Sequence, residues 1–285
     1  MMLPIAISAL TALSWSTSGI IMKGFSTRYK SIFAVLSLSL GNFIVTGTVV
    51  LLMGHFSIGA YAVLLSVLSG VVTTAGYLLF YLTLESQQAS NTYATIELQV
   101  VLLALYGIFV LHEAVSAAKI LGMFAVAAGV ILVSMELSGG RKLNRLMLPA
   151  MAANVLWATG WILMVYPISH ASNSIIPVWI SFTVTISLIA AITPIYMRGR
   201  RVPRQLLGPK GFPVGIAAGL FSGTGNMLYS VLVSIKQLVV GAVMSNSTPA
   251  IVAALAYFIY HDRLTRLQLL GMFLVVAGGI AVGLY

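Results

Sequence analysis

Long apolar stretches broken by short polar connections run the length of the chain. Their spacing predicts ten helices, near 3–22, 31–53, 58–84, 89–110, 116–135, 147–168, 174–196, 212–235, 238–259 and 265–285. Each is about the 20 mostly apolar residues that a crossing of the hydrocarbon core requires. The clearest dividers are Lys23 to Lys30, His112 to Ala117, Ser138 to Arg145, and Arg198 to Lys210 with Pro203 and Pro209. The ninth segment is the least regular, because it follows closely on the eighth and is interrupted by Asn246, Ser247, Thr248 and Pro249. The opening run MMLPIAISAL has neither a basic start nor a small-residue cleavage site, so it is expected to be the first crossing. The expected fold is an all-α integral membrane protein.

The pattern repeats. Leu121 to Val133 reads LGMFAVAAGVILV, and Leu270 to Val282 reads LGMFLVVAGGIAV. At the same separation His112-Glu113 matches His261-Asp262, and Leu13-Ser14-Trp15-Ser16-Thr17 resembles Val155-Leu156-Trp157-Ala158-Thr159. Ser69-Gly70 and Tyr77 are aligned with Ser222-Gly223 and Tyr229, and Thr74 with Asn226. The chain therefore divides into a first five-helix repeat at 1–137, a basic linker at 138–146 and a second repeat at 147–285. Five is odd, so the second copy is expected to enter the membrane from the opposite side, the inverted arrangement used by secondary transporters.

Composition agrees. Of 285 residues 60% are hydrophobic and 7% charged, against roughly 25% charged in a soluble domain. A net charge of +10 would point to a polyanion if it were spread over a soluble surface. Instead, every Lys and Arg except Lys119 and Lys236 falls in connections on one side of the predicted bundle. Basic residues hold loops on the cytoplasmic side and meet anionic lipid headgroups, so the charge implies a bilayer partner, no nucleic acid, and both termini outside the cytoplasm. Cysteine is absent, and His55, His112, His170 and His261 have no metal-ligand spacing. No Gly-x-x-x-x-Gly-Lys-Ser/Thr run or catalytic triad emerges, so neither a metal, a cofactor nor catalysis is expected.

Two five-helix halves, a tryptophan in the first helix of each, and an acidic residue ahead of a Leu-Gly-Met-Phe closing helix resemble the EamA family of the drug/metabolite transporter superfamily. The likeness spans the chain and is most specific at Ser247-Thr248-Pro249-Ala250, His261-Asp262-Arg263-Leu264-Thr265 and Leu270-Gly271. The first half departs from it, with Val100 opposite Pro249 and Glu97 opposite Asn246. The resemblance implies a carrier of small metabolites with a central cavity lined by helices one, three, four, six, eight and nine.

Within that frame Glu97 stands out as an acid inside an apolar helix, where a charge costs about 2.5–3.5 kcal/mol. It is a candidate substrate ligand for an amino group and a candidate proton carrier; a structural carboxyl bonded to Asn246 or Asn226 is the plain alternative. Trp15 and Trp157 lie deep in their helices, on stripes with Ser8, Thr11 and Ser18 and with Asn154 and Trp161. Tyr77 and Tyr81 on helix three, Asn226 and Tyr229 on helix eight, and Asn246 on helix nine complete an aromatic and amide set of candidate substrate contacts suited to an organic cation. The same residues are ordinary helix-packing groups, and both readings stand. Glu113 and Asp262 are expected to cap the helices that follow them.

The expected function is alternating-access export of amino acids or small amines, with a proton as candidate coupling ion. A facilitator or exchanger, a multidrug-type carrier of organic cations and, from another class, a non-transporting membrane assembly factor are the alternatives.

Overall fold

The computed structural model describes residues 2–26, 28–85, 97–114, 116–137, 147–198, 202–245, 248, 251 and 265–284. It is built from helices, and no strand occurs among the described residues. In chain order they are α1 (Met2–Ser26), α2 (Ser31–Met53), α3 (Ala60–Glu85), α4 (Glu97–Phe109) and α5 (Ala117–Leu137). There follow α6 (Met147–His170), α7 (Ile176–Tyr196), a 3-10 turn (Arg204–Leu207), α8 (Phe212–Ser234), α9 (Leu238–Ser245) and α10 (Arg266–Leu284). Among the described residues six helices, α1, α2, α3, α6, α7 and α8, are long and apolar enough to cross a membrane. The shorter apolar runs Gln99–Phe109, Ile120–Gly129 and Leu269–Gly278 lie in α4, α5 and α10. Most of the predicted ninth segment beyond Ser245, and the start of the fourth, fall outside the described residues.

Apolar helices dispose of their hydroxyls internally. Thr11 donates to Ile7 O at 2.8 Å, Ser16 to Ala12 O at 2.7 Å and Ser66 to Ala62 O at 2.7 Å. A carbonyl one turn back satisfies the hydroxyl where no water is at hand.

Small residues bring the helices together across the two halves. A Cβ on Gly41 would run into the α8 backbone at Ile216 and Gly219, and one on Gly219 into Leu38 of α2. A Cβ on Gly70 would lie 2.7 Å from Ser181 O and 2.8 Å from Val184 Cβ on α7. Between α5 and α10 the contact is reciprocal: Gly129 faces Gly271 and Val275, while Gly278 faces Gly122 and Val126. Thus α3 packs on α6 and α7 of the second half, and α8 packs on α1 and α2 of the first.

These contacts correct the repeat alignment in helix three. Gly70 meets α7 as Gly219 meets α2, and Gly76 lies under Trp157 as Gly225 lies under Trp15. Gly70 therefore corresponds to Gly219 and Tyr77 to Asn226, at the same separation that relates Leu121 to Leu270, rather than Tyr77 to Tyr229. Thr74 accordingly matches Gly223 and not Asn226. Identity of side chains misled the alignment; backbone approach decides it.

The acidic loop residue is also placed differently from expectation. Glu113 does not cap the helix that follows it; its carboxylate accepts the N–H groups of Leu238 at 2.8 Å and Val239 at 2.9 Å, the first residues of α9. The preceding helix stops just before, where Lys236 takes a left-handed φ of 57°. Gln237 N–H then bonds Leu232 O at 2.9 Å and Lys236 N–H bonds Val233 O at 3.0 Å, closing α8 with a Schellman turn. Asp262 lies outside the described residues.

Candidate functional site

Between the halves lies a cavity of about 160 Å³. That is close to the roughly 150 Å³ known to accept a benzene-sized guest. Its wall draws on α1, α2, α3, α4, α6, α7 and α8 together with Thr248. None of its described lining residues carries a charge.

Five of the eight predicted residues, Trp15, Tyr77, Tyr81, Trp157 and Asn226, line this cavity. Tyr229 does not. It is fully buried one layer behind, its ring centroid 5.5 Å from that of Trp15 and 4.4 Å from that of Trp161. Glu97 is the first residue of α4, but its side chain lies outside what is described, and Asn246 is outside the described residues altogether. Gln99, two positions on, does reach the cavity.

The aromatic wall is continuous. Tyr77 packs edge-on to Trp157 at 5.2 Å and parallel to Tyr81 at 6.4 Å. Phe80 adds a contact to Trp157 at 5.0 Å, and Phe182 from α7 one to Tyr77 at 6.4 Å. Ring faces so arranged attract a cation or receive a flat apolar group.

Opposite this wall runs a chain of amides. Trp15 Nε1 donates to Asn226 Oδ1 at 3.2 Å, Asn226 Nδ2 to Asn42 Oδ1 at 2.8 Å, and Asn42 Nδ2 to Leu38 O at 2.9 Å. The Tyr77 hydroxyl faces Ser222 and Asn226. One side chain, Asn226, therefore ties α1, α2 and α3 to α8. Asn42 was missed by the sequence reading although its signal, an amide inside the apolar run SLSLGNFIV, is the same that singled out Asn226. The α7 contribution through Ser181 and Phe182 was missed too, as was the Thr74 to Thr185 hydroxyl bond at 3.0 Å between α3 and α7.

The corrected alignment explains an asymmetry. Trp15 and Trp157 are equivalent, yet Trp157 Nε1 finds no acceptor among the described residues. The position that holds Asn226 beside Trp15 holds Tyr77 beside Trp157. Trp15→Phe should consequently cost about 0.6 kcal/mol more stability than Trp157→Phe, because only the first removes a hydrogen bond between helices. Paired thermal unfolding curves in one detergent check this; equal losses would contradict the assignment.

A helical multi-pass membrane protein whose halves share one aromatic and amide cavity, uncharged in its described lining, has the build of a small-molecule carrier. The family model of the EamA-like transporter family matches residues 2–135 and 145–284. The chain belongs to that family, whose members are transporters. A solved structure described only as the crystal structure of a protein is similar over 98% of this chain and 95% of its own, with a TM-score of 0.74 and 16% identity, a likeness of fold. No curated protein is a match.

Proposed function

We propose that the chain is a secondary carrier exporting amino acids or small amines by alternating access, its two repeats at 1–137 and 147–285 inverted about the cavity, joined by the basic linker at 138–146. The observation that carries the reading is the cavity itself: about 160 Å³, walled from both halves, rich in rings and amides, with no charged residue in its described lining. An anion would need a fixed cation, and none stands in the described lining. An ammonium group suits the faces of Trp157, Tyr77 and Trp15, and Gln99 and Asn226 offer amides to a carboxylate. Trp15, Tyr77, Tyr81, Trp157 and Asn226 are assigned to substrate contact, Tyr229 to support behind them, and Glu97 and Asn246 to the same level on the fourth and ninth segments. Basic connections are taken as cytoplasmic, with both termini outside a cell membrane.

Glu97 is assigned the shared proton and substrate role. In proteoliposomes an imposed pH gradient should drive amino acid or amine uptake, and Glu97→Gln should remove that dependence while counterflow persists. Coupling unchanged in Glu97→Gln would refute the role. A facilitator or exchanger is the second reading, favoured by the neutral described lining. Counterflow in the native protein that ignores any proton gradient would select it.

A further inference from the structure

We propose that Glu113 is a positioning residue for transport, a clamp that holds the start of α9 to the α4–α5 connection and so keeps the cavity shut at the membrane face opposite the basic connections. The proposal rests on the alternating-access reading above. Helix α4 packs on α6, in the group formed with α3 and α7, while α9 packs on α1, in the group formed with α2 and α8, so the contact bridges the two packed groups that alternating access moves apart. Both carboxylate oxygens are engaged, Oε1 by Leu238 N–H at 2.8 Å and Oε2 by Val239 N–H at 2.9 Å. The first N–H groups of a helix have no partner within it and carry the positive end of its dipole, which makes a carboxylate their strongest acceptor.

The surroundings are shaped for this contact. A Cβ on Gly107 would stand 2.5 Å from Val239 Cγ2 and 3.7 Å from the Glu113 carboxyl carbon, so glycine there lets α4 come up to α9. Gly107 O also accepts the Glu113 N–H at 3.0 Å, and His112, at a left-handed φ of 53°, turns the connection back over it. From the clamp a packed column leads inward. Gly241 on α9 sits against the Tyr229 ring, and Tyr229 against Trp15 and Trp161, both of which line the cavity. Parting α4 from α9 breaks both Glu113 bonds at once. An interaction made in only one of two states biases their populations by its differential strength. Two loop ties also join the halves, Ser57 with Ser172 at one face and Tyr29 with Gln205 at the other.

The absence of cysteine makes the test direct, since Ser181→Cys on the cavity wall supplies the chain's single thiol. Its labelling by a membrane-impermeant maleimide is followed from each side of the membrane, with and without Glu113→Ala. The expected result is a rise on the order of tenfold from the α9 N-terminal face and a fall from the basic face, as follows when charge-assisted hydrogen bonds are removed from only one of two states. Glu113→Asp should restore part of the difference. Equal labelling with and without the substitution overturns the proposal, and so does a rise from both faces, which marks general loosening. Should the alanine variant fail to reach the membrane, Glu113→Gln, of the same shape, must give the same directional shift or the proposal falls. No substrate enters the measurement. A directional shift in a protein that moves no solute would retain the clamp and sink the carrier reading.

Discussion

Replacing Asn226 by leucine should reduce transport at least about tenfold while lowering the stability of the protein only modestly. The two effects separate because they draw on different consequences of the same substitution. For stability, hydrogen bonds between membrane helices average about 0.6 kcal/mol, since the unfolded chain in the bilayer finds other partners. Removing the bonds to Trp15 and Asn42 should thus cost about 1 kcal/mol. For transport, the geometry is what counts. Asn226 holds the Trp15 indole on one wall and faces the Tyr77 hydroxyl on another, and without it both rings can turn in the cavity. A displacement of about 1 Å at a positioning group is enough for a drop of about a hundredfold in catalysis, and a binding wall follows the same logic. Flux per folded molecule, beside a thermal midpoint, checks it. A midpoint that collapses together with the flux would assign Asn226 to folding instead. Asn226→Gln should fall between, since it keeps the amide but not its reach.

The other large effect is on the fold. Gly219→Val should lower stability by about 3 kcal/mol, the upper range for overpacking a tight core. At about 2.1 cal/mol/K of unfolding entropy per residue, that is about 5 °C in the unfolding midpoint of this chain. The magnitude follows from what the new carbon would meet. Its neighbours are the Leu38 carbonyl and the Gly41 Cα, backbone that no rotamer change can move aside. Helices α2 and α8 would have to part along the seam that carries the Asn42 to Asn226 bond. Gly24→Ala is the control: nothing lies within 4 Å of a Cβ there, and alanine in a helix is favoured over glycine by about 1 kcal/mol. A tolerated Gly219→Val, with an unchanged midpoint, would refute the close α2–α8 approach.

Much of this was legible beforehand. Apolar run length and basic punctuation located the helices, and the Leu-Gly-Met-Phe motif exposed the repeat, because both signals are local or nearly identical in the two copies. The register of helix three against helix eight was not legible. Gly215, Gly219, Gly223 and Gly225 permit several alignments, and only the approach of Gly76 to Trp157 and of Gly225 to Trp15 selects one. Tyr229 shows a related limit. A tyrosine on a polar helix face reads as cavity lining, yet whether it stands in the wall or behind it depends on Trp15 and Trp161, which come from other helices. Glu113 shows the sharpest one. An acid just ahead of a helix reads as the cap of that helix, whereas its partners are the N–H groups of Leu238 and Val239 in the other half. Chain proximity could not reveal that.

The α5–α10 seam has a further meaning. Gly129 meets Gly271 and Val275, and Gly278 meets Gly122 and Val126, so each partner on one side is the repeat equivalent of a partner on the other. That is the signature of an isologous interface, the kind two identical subunits form across a two-fold axis. A chain half as long, paired with a second copy of itself, would generate the same seam with no linker. The present protein is in this respect a homodimer written on one strand, free to let Asn226 and Tyr77 diverge where a true dimer would be bound to keep them alike.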